Sequence, residues 1–81
     1  AKRLPVRRQH HAERCAELLD SIEHPTTAAE LMPVLFTRPL TDAHQVMFAL
    51  GETIAHLSYL EHARQILRIE DQGIIRFEKL H

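Results

Sequence analysis

The chain has little of what would let it act alone. It carries a single cysteine, Cys15, so it cannot close a disulfide within itself, which fits a reducing compartment. It has no net field to draw it to nucleic acid or an anionic membrane: 10 Lys and Arg face 11 Asp and Glu, for a formal charge of -1. No apolar run approaches membrane-spanning length and no signal-peptide pattern opens the sequence, so a cytoplasmic location without a membrane partner is expected. Glycine is scarce, with Gly51 and Gly73 alone. Seven histidines are many for 81 residues, yet they form no H-E-x-x-H and no Cys/His zinc pattern. His10 and His11 are adjacent, so on a helix their side chains diverge by about 100° and do not readily share a metal. Scattered surface histidines account for them better than a ligand set.

What is present is one long amphipathic pattern. Thr41-Asp42 supplies a helix start, with Gln45 three residues after Asp42 in a box-like arrangement. Val46, Met47, Leu50, Ile54, Leu57 and Leu60 then recur at steps of three and four, which predicts a helix to about His62 with that stripe turned to the core. Such a helix, of about 20 residues, is roughly 30 Å long and crosses a small domain. On its other side Gln45, Phe48, Glu52, His56 and Tyr59 fall within a narrow arc. Glu52 and His56 are four apart and are placed to pair. A solvated face with one ion pair is the plain reading. A docking face formed by Phe48, Glu52, His56 and Tyr59 is the sharper one, because aromatics beside Ala49 and Ala55 suit close contact. A catalytic Glu–His dyad is disfavoured, since no nucleophile or further ligand accompanies it. Gly51 inside this helix costs about 1 kcal/mol relative to alanine and suggests close approach of another element.

Ahead of the long helix, residues 1–8 are basic (Lys2, Arg3, Arg7, Arg8) and read as a linker or flexible terminus, with residues 9–81 as the domain. A helical pattern runs from about Val6 to Ile22, with His11, Cys15, Leu18, Leu19 and Ile22 on one face. Cys15 on that stripe reads as a small core hydrophobe rather than a reactive thiol. His24-Pro25 ends the helix. Thr27 and Glu30 form a capping box for the next, whose apolar side is Ala28, Leu31, Met32, Leu35 and Phe36. Pro33 lies beyond the first turn and is expected to kink or split that helix. After the long helix, residues 65–70 and 74–78 read as strands around Asp71-Gln72-Gly73, a β-hairpin. The order is helix, helix, helix, hairpin: an α+β fold of three-helix winged helix-turn-helix type with a C-terminal β-hairpin wing.

A winged helix that reads DNA needs cations and amide side chains on its recognition helix. The helix from Thr41 to His62 contains no Lys or Arg and carries Asp42, Glu52 and Glu61. A winged-helix DNA-binding transcriptional regulator is therefore the alternative rather than the first reading, and nucleic acid is not the expected partner.

The run Phe48-Ala49-Leu50-Gly51-Glu52-Thr53-Ile54-Ala55-His56-Leu57-Ser58-Tyr59-Leu60 resembles the C-terminal winged-helix domain attached to metallo-β-lactamase-fold hydrolases, where an E-T-x-A-H-L core is typical. His11-x-x-Arg14, Pro25-Thr26-Thr27-Ala28-x-Glu30-Leu31, Leu35-Phe36 and Gly73 fit the same pattern in order. Two departures stand out: Pro33, and His62-Ala63-Arg64 where the family has a glycine after the long helix. The resemblance implies an N-terminal catalytic domain with an H-x-H-x-D-H motif, usually holding two zinc ions that activate a water against an ester, thioester or amide-like bond. That motif is absent here. The chain, which begins with Ala rather than Met, then reads as the accessory domain of a zinc-dependent hydrolase, silent by itself and holding no cofactor or metal of its own. Its expected partner is the catalytic domain of the same protein. The Phe48/Glu52/His56/Tyr59 face becomes a surface that packs on that domain or borders its substrate cleft. Homodimerisation through the long helix stands as a further reading.

Overall fold

The structure is a computed structural model that describes residues 6–80, with side chains from His10 onward. The linker expected at residues 1–8 lies partly outside that range; its last part, residues 6–8, is the first turn of a helix. Five elements follow one another: α1 (Val6–Ser21), α2 (Ala28–Leu35), α3 (Ala43–His62), β1 (Ile66–Asp71) and β2 (Ile74–Lys79). The three helices pack on one another, and the two strands form one antiparallel hairpin.

Helices α2 and α3 start where polar residues can satisfy free N–H groups. At α2, Thr27 Oγ1 accepts from the Glu30 N–H at 3.1 Å while Glu30 Oε1 accepts from the Thr27 N–H at 3.1 Å, the reciprocal box the sequence predicts. At α3, Asp42 Oδ1 accepts from the Gln45 N–H at 2.8 Å, and Gln45 Oε1 reaches back to the Thr41 N–H at 3.0 Å. Pro33 does not split α2, against expectation. The helix runs through it and stops two residues later, at Leu35. The proline is exposed and stands in the last turn, so the carbonyl it fails to serve, that of exposed Ala29, is free to face water.

The end of α3 solves the missing-glycine problem with strain. Gln65 N–H bonds to Leu60 O and Arg64 N–H to Glu61 O, the paired bonds of a Schellman cap. The left-handed position in that cap is Arg64, at φ 59°. The hairpin turns on two residues, Gln72 (φ 53°) and Gly73 (φ 80°), both left-handed as a type I′ turn requires. The strands pair from Ile66↔Lys79 to Asp71↔Ile74. Thr26, just before α2, exchanges both backbone hydrogen bonds with Phe77 on the outer edge of β2 (3.0 and 2.8 Å).

The core is Cys15, Leu18, Ile22, Leu31, Leu35, Leu57, Leu60, Ile66 and Phe77, drawn from all three helices and the base of the hairpin. Cys15 sits in it, as expected of a small hydrophobe. The α3 stripe needs correction. Leu57 and Leu60 are buried, but Val46, Met47 and Ile54 are not; Met47 is 70% exposed. The buried side of α3 is instead Ala49, Thr53, His56, Leu57 and Leu60, a face rotated around the helix from the apolar stripe. Ala49 and Thr53 are small enough to let neighbouring helices approach, and the Thr53 hydroxyl is satisfied by donating to Ala49 O at 2.8 Å.

Candidate functional site

Three elements converge on one side of α3. From α1 come His10, His11 and Arg14, from the end of α2 comes Phe36, and from α3 come Phe48, Glu52 and His56; together they line an open concavity of about 500 Å³. The histidine rings of His11 and His56 stack, with centroids 4.8 Å apart, and Tyr59 meets His11 edge-on at 4.7 Å. Phe36 and Phe48 form an edge-to-face wall, centroids 6.4 Å apart. The Arg14 guanidinium carbon lies 5.8 Å from the Phe36 ring centroid, and its Nη1 donates to Leu35 O at 3.1 Å. Leu35 O is one of the terminal carbonyls that α2 leaves free, so Arg14 fixes the end of that helix and is itself fixed.

The proton of the His56 imidazole follows from its partner. His56 Nδ1 lies 2.7 Å from Glu52 O, and a carbonyl only accepts, so Nδ1 carries the proton and Nε2 is left as an acceptor in the neutral ring. Cys15 Sγ lies 3.9 Å from His11 Nδ1. Burial pushes the Cys15 thiol up from its ordinary range, which keeps it protonated.

All four residues expected to form the face are on this side, but not as expected. Phe48, Glu52 and His56 line the concavity, while Tyr59 reaches it through His11. Glu52 and His56 do not pair through the carboxylate: the imidazole is buried and takes the Glu52 main-chain carbonyl instead. The i, i+4 spacing serves both contacts, and burial favours the one without a charge. His11, Arg14 and Phe36 were not assigned to this face. Their spacing on α1 carried a signal, since positions 11 and 14 share a helix face, but His11 reads there as a core position. Among the described residues, no three His, Cys, Asp or Glu side chains come together as a metal-holding group. Arg68, a cation of the hairpin, is engaged by Glu61 at 3.0 Å and lies over the Phe77 ring.

Residues 15–80 match the family model of the metallo-beta-lactamase-like C-terminal domain. The chain belongs to this family. Its structure is also similar to the crystal structure of a beta-lactamase domain protein from Burkholderia ambifaria, at 40% identity and a TM-score of 0.82, over 90% of this chain and 22% of that one. No curated protein sequence matches it.

Placed in the metallo-beta-lactamase-like C-terminal domain, the Glu52-Thr53-x-Ala55-His56-Leu57 run has a packing explanation. Thr53, His56 and Leu57 point into the domain, Glu52 offers its carbonyl to His56, and only Ala55 is fully on the outside. The chain spans 22% of the length of the solved relative, so most of that protein is a different region.

Proposed function

We propose that this chain is the accessory C-terminal domain, of winged-helix form, of a zinc-dependent metallo-β-lactamase-fold hydrolase. It packs on the catalytic domain and borders the substrate cleft, and it is not catalytic alone. The observation that carries the reading is the pairing of a C-terminal-domain match over residues 15–80 with a solved relative most of whose chain lies beyond the matched part. The winged-helix form is supported by the order of three helices and a hairpin, and by the Thr26↔Phe77 bridge, which adds a third extended segment beside the wing.

The outer side of α3 supports the docking role. Phe48 is 64% and Tyr59 55% exposed, and Met47 and Ile54 are exposed with them; Phe36 meets Phe48 and His11 meets Tyr59, yet most of this surface stays open among the described residues. A β-carbon added at Gly51 would meet nothing within 4 Å, so the glycine serves no close approach within this domain. It suits a neighbour that comes from outside. The chemistry of the parent would belong to metals held by an H-x-H-x-D-H motif in another domain; this chain's residues would supply a wall and a support.

The test is the native reading frame together with an association measurement. A metallo-β-lactamase-fold region carrying H-x-H-x-D-H is expected upstream, and this chain, added as a separate polypeptide, is expected to co-elute with it. An open reading frame without such a region overturns the reading. Substitution of Phe48 and Tyr59 by serine that leaves co-elution unchanged overturns the docking face.

A further inference from the structure

The concavity between α1, the end of α2 and α3 has more organisation than a flat packing surface needs. Its cation is held in place before any ligand arrives. Arg14 uses Nη1 on Leu35 O and rests against Phe36, which leaves the Nε–Nη2 edge of the guanidinium without a hydrogen bond among the described residues. That edge is the planar pair of donors that meets a carboxylate with two parallel bonds. On the same lining, His11 turns Nδ1 to Cys15 Sγ at 3.9 Å, which leaves its Nε2 without a hydrogen bond among the described residues and open to a ligand. The Phe36 and Phe48 rings stand edge to face as an apolar wall, and Phe48 is mostly bare. Two groups oppose an anion: His56 Nε2, left as an acceptor, and the Glu52 carboxylate on the α3 side. The carboxylate is not tied to His56, whose bond goes to the Glu52 main chain. The lining holds one cation and one carboxylate, and the cation comes from α1, since α3 contains no Lys or Arg.

We propose that this concavity binds a carboxylate borne on a flat apolar body: the carboxylate on Arg14 and His11, the apolar body against Phe36 and Phe48. This deepens the functional reading above by naming a ligand class for the cleft border, and it rests on that reading only for the ligand's being a substrate or product of the parent hydrolase.

The experiment is a backbone-amide and histidine-ring NMR titration of this 81-residue chain. The probes are 3-phenylpropionate, its neutral amide and the cationic 3-phenylpropylamine. The expected result is saturable shifts for the carboxylate confined to residues 10–14, Phe36, Phe48, Glu52 and His56, with the amide and amine about tenfold weaker or more. Arg14→Gln is expected to weaken the carboxylate by about tenfold or more. Because Arg14 also holds the end of α2, two further variants keep the test sharp. Phe48→Ala removes an exposed ring without touching the core and is expected to weaken binding several-fold. Glu52→Gln removes the opposing charge and is expected to strengthen it. Equal binding of amide or amine, weaker binding in Glu52→Gln, or shifts centred on Met47 and Ile54 would each overturn the proposal. Failure here leaves the domain assignment standing, because that is decided by co-elution with the catalytic region and not by ligand binding.

Discussion

The two sides of α3 differ in a way that runs against their composition. The inner side is Ala49, Thr53, His56, Leu57 and Leu60, two of which are polar. The outer side carries Met47, Phe48, Ile54 and Tyr59, all large and apolar or aromatic and all exposed. A helix in a self-sufficient domain puts its greasiest stripe inside, because burial of apolar area is the main favourable contribution to folding. Here the inner face was chosen for fit, with small residues at the helix crossings and polar groups bonded within their own helix. The outer face has the chemistry of an interface. On the proposed docking reading, α3 is amphipathic toward two partners, one within the chain and one beyond it.

The sharpest way to break this comparison is to remove one side chain from each face. Leu57 is fully buried, so Leu57→Ala is expected to cost about 3 kcal/mol in urea unfolding, much of the stability of a domain this small. Less loss than from an outer-face substitution would invert the assignment of faces. Thr27→Ala removes the box at α2 and is expected to cost about 1 kcal/mol. The same box makes a pH statement. The Thr27 N–H, and after it the Thr27 hydroxyl, hold the Glu30 carboxyl below the ordinary glutamate range. That contribution is present above the unfolded-state value and is lost as pH falls through the lower folded value, so the gap between wild type and Thr27→Ala should narrow in acid. Arg64→Gly relieves a left-handed arginine and is expected to stabilise by about 1 kcal/mol, read as a higher melting temperature. The smallest effect is on the outer face. Ile54→Ser is expected to change the stability of this chain by no more than about 0.5 kcal/mol, yet to weaken association with the catalytic region. An unfolded Ile54→Ser chain would show that the outer face is not free after all.

Much of this architecture was legible in the sequence. The capping box, the hairpin with its Gly73 turn, the α1 face and the family resemblance rest on local chemistry and spacing, which a chain displays openly. The core face of α3 was not legible, for a physical reason. Periodicity finds apolar stripes but does not say which partner a stripe is meant for. Met47 and Ile54 therefore read as core, while Ala49, which is buried, read as the edge of the docking face, and Thr53, whose merit is being small, gave no periodic signal. The concavity was half legible. Phe48, Glu52, His56 and Tyr59 share an arc on one helix, but Arg14 and Phe36 join them only through the packing of α1 against α2, which no local pattern encodes. Pro33 misled because its cost depends on how much helix follows, and almost none does.

The bridge between Thr26 and Phe77 sets the tempo of the molecule. Those two residues enclose α2, α3 and the whole first strand, so their bonds close most of the described chain after α1 into one loop. Helices of local contact form quickly, whereas a clasp of this span waits until a large loop has closed. The hairpin is therefore a latch rather than an appendage. Truncating the chain before Phe77 would free the segment that leads into α2, and the Thr26 amide should lose its hydrogen-exchange protection.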